Sequence, residues 1–278
     1  MKLNKIFLMA AALLAAVFAS CSDDDSYSPG AQAGSYDVSF ASQANQVLGK
    51  TATEFTITLH RGNGSGELTV PIEKVTVPEY CTVPEKVTFA NGNTLATFKV
   101  AVASTIPFNT EYDFEIRIPE IYTHPYKAQT MYPIYRVKLT KEDYTEVGTA
   151  VLNDVFYAEA KSNIKIEYSP SLELYRIPNM FATGYPFFFK WDKQSGSKQT
   201  FYFTDATGEK GTKFETGLKY KTHGMVSVTA YSTPAGTGDD FMGYNADENK
   251  FYLPFEWTVS AGSFGNGTIY IEDIKFTH

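Results

Sequence analysis

The densest chemistry in the chain is aromatic. Tyr185-Pro186-Phe187-Phe188-Phe189-Lys190-Trp191-Asp192 alternates as an extended chain does, with Phe187, Phe189 and Trp191 on one side and Phe188 on the other. Aromatic rings stack on the apolar faces of sugars, while carboxylates and amides bond sugar hydroxyls. Trp191, Asp192 and Gln194 therefore make a candidate ligand-binding set for carbohydrate, with Tyr244, Asn245 and Trp257 as additions. Rings that repeat at period two normally face a core, which is the expectation for Phe187 and Phe189. Trp191 lies close to a turn and is open to either side, while Trp257, between Glu256 and Thr258, leans towards the core.

Other chemistry is sparse. The stretch from Pro234 to Lys250 is the longest loop-like segment, and Asp239, Asp240, Asp247 and Glu248 with Asn245 and Asn249 could gather oxygens around calcium. Their spacing does not match an EF-hand, so no metal is assigned. No G-x-S-x-G, H-E-x-x-H or Walker loop appears, and His60, His124, His223 and His278 have no nucleophile-and-acid pattern beside them. No catalytic residue and no cofactor are expected, and the chain reads as a binder, not an enzyme.

The frame that must position these residues begins with composition. The 278 residues include 21 Phe, 19 Tyr, 2 Trp, 20 Gly and 13 Pro, with 43% hydrophobic and 20% charged residues, which can bury a core. A formal net charge of −7, without a basic stripe, argues against nucleic acid as a partner. Lys2 and Lys5 precede an apolar run from Ile6 to Val17, too short to span a bilayer, so residues 1–20 read as a signal peptide. Phe18-Ala19-Ser20-Cys21 resembles the lipobox of bacterial lipoproteins, and that resemblance implies an acylated Cys21 held in outer-membrane lipid. Ser22-Asp23-Asp24-Asp25 resembles the surface-export signal of Bacteroidetes lipoproteins, which implies a chain facing the cell exterior. Residues 21–35 then form the lipidated cysteine and a flexible Ser/Pro/Gly tether. With Cys21 acylated, Cys81 has no disulfide partner and reads as a buried structural thiol.

From Tyr36 onward the period is two. Phe55-Thr56-Ile57-Thr58-Leu59, Leu68-Thr69-Val70-Pro71-Ile72, Thr94 to Val102 and Tyr112 to Ile118 read as strands, and Asn91-Gly92 predicts a hairpin. Ile121 to Pro133 reads as an excursion before a last strand at Ile134 to Leu139. Residues 36–140 resemble a Calx-beta-like sandwich, through Phe55 to Arg61, Leu68 to Ile72 and Val87-Thr88-Phe89-Ala90-Asn91-Gly92. Many members of that family bind calcium, but Glu79-Tyr80-Cys81 and Pro107 to Glu111 lack the family's acidic residues, so calcium is not carried over.

Lys141 to Glu146 is polar and charged and marks the boundary with residues 147–278. Strands are expected there at Gly148–Val151, Asn163–Tyr168, Leu172–Ile177, Phe187–Trp191, Gln199–Phe203, Val226–Tyr231, Phe251–Val259 and Thr268–Phe276. The expected fold is all-β: two tandem β-sandwich domains after a lipoprotein signal peptide and short tether. The expected function is a surface-exposed, lipid-anchored binding protein that captures glycans for a polysaccharide-uptake system. The alternative is an adhesion or cell-envelope structural protein, fimbria-like, with an outer-membrane protein as its partner.

Overall fold

A computed structural model describes residues 36–124, 132–193, 198–211, 213–231 and 242–277. The signal peptide, Cys21, the tether, Gln194, Asp239, Asp240, His278 and most of the Ile121–Pro133 excursion lie outside the described residues.

The fold is all-β. In the first half the strands are β1 (Val38–Phe40), β2 (Gln46–Leu48), β3 (Glu54–Arg61), β4 (Leu68–Pro71), β5 (Glu73–Thr76), β6 (Cys81–Thr82), β7 (Lys86–Phe89), β8 (Leu95–Val102), β9 (Glu111–Arg117) and β10 (Ile134–Lys141). One sheet has the order β1-β3-β8-β6 and the facing one β2-β10-β9-β5, with β4 and β7 paired as a separate ribbon. The N-terminal run switches sheets: β1 is antiparallel to β3, whereas β2 is parallel to β10. Alternation drives the packing, because Phe55, Ile57 and Leu59 of β3 and Phe98, Val100 and Val102 of β8 point inward while their neighbours face out. Each fully buried side chain of this kind contributes roughly 1.5–3 kcal/mol.

Asn91-Gly92 turns the chain, with Gly92 at φ 88°, but the strands on either side belong to different sheets and form no hairpin. Arg61 lies beneath this turn. Its buried guanidinium donates to the carbonyls of Asn93 (2.7 Å), Gly64 (2.7 Å), Gly66 (2.8 Å) and Ala90 (3.0 Å), and so draws the 62–66 and 90–94 loops together. Those carbonyls would otherwise need partners of their own.

In the second half β11 (Thr145–Asp154), β12 (Ala160–Ser169), β13 (Leu174–Ile177), β14 (Phe187–Trp191), β15 (Lys198–Thr204), β16 (Lys213–Lys219), β17 (Met225–Ala230), β18 (Gly243–Asn245), β19 (Lys250–Val259) and β20 (Gly262–Phe276) follow. They form one sheet that closes on itself through β11-β12-β13-β14-β15-β18-β19-β20, all antiparallel, with β16 and β17 added along β19. Where a second sandwich is expected over residues 147–278, the chain instead forms a single sheet that closes into a barrel, because β20 pairs with both β19 and β11. The 15-residue β20 makes the closure, pairing with β19 over its first part and with β11 over its last. Two register shifts bend it, one beside Asp273 (φ 54°) and one that accommodates Phe264. The interior is aromatic, with Phe187, Phe189, Phe201, Phe203, Phe251, Phe255 and Trp257 all buried.

Glu142, Asp143 and Tyr144 alone separate β10 from β11. Asp143 is buried and accepts bonds from Asn109 Nδ2 (2.8 Å), from the Ser169 hydroxyl and from the Ser171 amide (2.9 Å). Arg176 pairs with Glu142 (2.7 Å) and Glu167 (2.7 Å), and its guanidinium lies 3.8 Å from the centroid of the Tyr144 ring. Residues of both halves therefore meet at the junction in two neighbouring polar clusters, one around Asp143 and one around Arg176. Asp37 adjoins Gly62 at the opposite end of β3 from Glu54, while Lys141 pairs near Leu48 at the Glu54 end. The N-terminal entry and the junction accordingly lie at opposite ends of the first half.

Candidate functional site

Strand register assembles an aromatic cluster at the barrel end nearest the junction. Tyr168 opposes Tyr175, Tyr175 opposes Phe189, and Trp191 follows Phe189 by two residues on the same inward face. The Trp191 ring meets Tyr244 at 4.8 Å and Phe251 at 5.0 Å edge to face, and Phe276 at 5.7 Å with 25° between planes. Tyr175 closes the group, 5.7 Å from Trp191 and 5.3 Å from Phe189. Phe276 reaches this cluster because β20 folds back to pair Phe276 with Gly148 at the start of β11. A Cβ on Gly148 would come within 2.9 Å of the Lys275 carbonyl, so the closure requires glycine there.

The mouth of the cluster is a depression of about 470 Å³ lined by Tyr168, Glu173, Tyr175, Lys190, Trp191, Asp192, Lys193 and Tyr202. Rings, carboxylates and ammonium groups stand side by side there. The Lys193 ammonium sits 4.6 Å from the Trp191 ring centroid, 5.3 Å from that of Tyr175 and 5.7 Å from that of Phe276. Burial pushes the Tyr168 and Tyr244 phenols above their ordinary range, so both stay neutral hydroxyls at neutral pH. The Trp191 indole nitrogen is buried and has no hydrogen-bond partner among the described residues. Such a donor is costly to leave unpaired.

The sequence candidates separate. Trp191 and Tyr244 come together, half-buried, and Asp192 stands exposed on the rim. Tyr244 donates its hydroxyl to Asn249 Oδ1 (3.0 Å), and Asn249 in turn donates to the Ile274 carbonyl (2.9 Å). Asn245 is committed to the turn before β19, donating to Glu248 (2.8 Å) and accepting from the Asp247 amide (3.1 Å). Trp257 is fully buried at the other end of the barrel, stacked on Tyr157 at 5.2 Å and Phe156 at 5.8 Å. It lies six residues along β19 from Phe251, roughly 20 Å from the Trp191 mouth, so no single ligand-binding surface contains both tryptophans. Tyr175, Phe276, Tyr168, Glu173 and Tyr202 were not legible as site residues, since only non-local register brings them to Trp191, whereas Lys193 lies two residues from Trp191, a spacing that could have marked it.

Elsewhere the candidate chemistry is subdued. Burial pushes the Cys81 thiol up to about 11, which leaves it protonated and unreactive at neutral pH. Among the described residues no group of three or more His, Cys, Asp or Glu is placed to hold a metal ion.

No protein-family model matches the chain, and no curated protein matches it. Among solved structures it is similar to the apo form of the Calx CBD1 domain, at 19% identity and a TM-score of 0.30, over 38% of this chain and 97% of that one. It is also similar to an auxiliary nutrient-binding protein from Bacteroides thetaiotaomicron, at 7% identity and a TM-score of 0.30, over 84% of this chain and 90% of that one. At such scores neither likeness bears on the site.

Proposed function

We propose that the chain is a lipid-anchored binding protein of the outer membrane, facing the cell exterior, whose second half captures glycans for a polysaccharide-uptake system. Cys21 carries the lipid, residues 22–35 are the tether, and the first half is a spacer. The opposed placement of the N-terminal entry and the junction supports that order, because it sets the second half beyond the first as seen from the anchor.

The observation that carries the glycan reading is the barrel mouth, where Trp191, Tyr168, Tyr175 and Tyr202 surround a depression together with Glu173 and Asp192. Sugar rings offer apolar faces to such rings and hydroxyls to such carboxylates. The arrangement is concave, aromatic and polar at once, as small-molecule sites are. Nothing in it pairs a nucleophile with a base, which favours binding over turnover.

A glycan array followed by isothermal titration with the purified full chain tests this. Tyr202→Ala and Asp192→Ala alter exposed rim residues and leave the core intact, and Trp191→Ala removes the central ring. Saturable binding to an oligosaccharide, weakened by all three, is the expected result. Absence of binding to every plant, host and microbial glycan would overturn the reading and promote the adhesion or envelope-structural alternative, to be pursued by capture from envelope extracts.

A further inference from the structure

Lys193 occupies an unusual place. Its ammonium lies within 6 Å of three ring centroids at once, those of Trp191, Tyr175 and Phe276. An ammonium within that distance over an aromatic face is held by the ring quadrupole, and several rings around one charge form a cage of the kind that selects ammonium ligands. Yet Lys193 itself is exposed, and among the described residues its ammonium makes no ion pair. The side chain has four rotatable bonds and vacates the rings by rotation alone. Glu173 and Asp192 line the same depression and supply negative charge beside the cage.

We propose that the Tyr175–Trp191–Phe276 cage is a binding site for the ammonium group of an incoming ligand, and that Lys193 is its internal stand-in. This rests on the reading of the barrel mouth as the glycan site, and it narrows the ligand to a glycan that carries free amino groups. An internal competitor lowers apparent affinity by the fraction of time that it fills the site. Each exposed cation–π contact favours occupancy by roughly twofold to fivefold. Removing the lysine therefore raises affinity for an ammonium ligand by about tenfold, whereas weakening a ring lowers it.

The full chain and its Lys193→Ala and Lys193→Arg variants are titrated with an oligomer of glucosamine, the matching N-acetylated oligomer, choline and tetramethylammonium. Trp191 fluorescence follows binding, since the only other tryptophan, Trp257, is fully buried. The expected result is saturable binding of the glucosamine oligomer, roughly tenfold tighter in Lys193→Ala than in the native chain or Lys193→Arg, and at least about tenfold weaker binding of the acetylated form. Phe276→Leu should weaken the amino ligand in the Lys193→Ala background. Equal binding of both oligomers, with no gain on removing Lys193, overturns the cage and leaves the glycan reading standing. Binding of choline and tetramethylammonium without either oligomer supports the cage as an ammonium site but overturns an amino-glycan as its ligand, and the array result then decides the glycan reading. No binding of any of the four to Lys193→Ala overturns the cage outright, and the array result then decides the glycan reading alone.

Discussion

Tyr175 and Arg176 are neighbours in β13, and they face opposite ways into two sites that both set a cation on an aromatic ring. Outside the barrel wall, Arg176 lies 3.8 Å from the Tyr144 centroid with Glu142 and Glu167 each at 2.7 Å, its side chain 16% exposed. Inside the wall, Tyr175 helps to hold Lys193, which is exposed and, among the described residues, has its ammonium against the rings of Trp191, Tyr175 and Phe276 at 4.6 to 5.7 Å. The first cation is neutralised by paired carboxylates in a partly dry setting, where Coulomb attraction is strong. The second is held by weak contacts in reach of water. One arrangement commits its cation to the fold, and the other leaves a cation that can be exchanged. Structural and functional uses of the same interaction are told apart by what else the charge touches.

The largest break in that comparison comes from Arg176→Ala. It strands Glu142 and Glu167 against each other at the junction, and loss of one partner from a mostly buried pair costs about 3 kcal/mol. Thermal unfolding of the full chain should fall by roughly 6 °C or more. Asp143→Ala comes next, at about 2 kcal/mol, because Asn109, Ser169 and Ser171 lose a shared acceptor. The two clusters sit on adjacent residues, Asp143 and Glu142, so a double variant that departs from additivity would show that they are coupled through the junction backbone. A double variant that merely sums them would mean that the Asp143 and Arg176 clusters act separately.

Acidification gives a smaller and reversible version. Burial alone would raise the Asp143 carboxyl, but the bonds from Ser169, Asn109 and Ser171 together hold it below the usual carboxylate range. A carboxyl lowered in the folded state stabilises fully above its unfolded value of about 3.9, and that contribution is lost as pH falls through the folded value. The stability difference between the native chain and Asp143→Asn should therefore be constant from pH 5 to 8 and shrink below about pH 4. A difference that does not change in acid would remove Asp143 from the charged side of the junction.

The strand pattern of both halves could be read from alternation. Phe55 to Leu59, Thr94 to Val102 and Phe251 to Val259 fall within β3, β8 and β19 or within a residue of them. Alternation failed at β16, where Gly217 at φ 78° interrupts the pattern and packs on Tyr185 and Ala182 with no room for a Cβ. It also gave no sign that the second sheet closes, because closure depends on which strands β20 meets. Lys141 to Glu146 reads as a boundary because its charges are visible in sequence, while the partners of Asp143 and Glu142, namely Ser169, Ser171 and Arg176, are 26 to 34 residues away. The barrel mouth was half legible for the same reason. Trp191 stood out by type and by its nearby turn, but Tyr175 and Phe276 are ordinary strand residues until register brings them to it.

The smallest expected effect is the sharpest test. Lys193→Ala should lower the melting temperature by no more than about 4 °C, less than Arg176→Ala, since a roughly tenfold preference of the lysine for its cage is worth only about 1.4 kcal/mol. It should nevertheless alter the fluorescence of Trp191, whose ring loses the charge 4.6 Å from its centroid. A small stability change with a clear spectral change keeps the contrast with Arg176, because the lysine then touches the ring without securing the barrel. If Lys193→Ala instead destabilises the chain as much as Arg176→Ala does, Lys193 is a pin that seals the end of an aromatic core. The two cations would then do the same work on opposite faces of β13, and exposure alone would not separate a fixed charge from an exchangeable one.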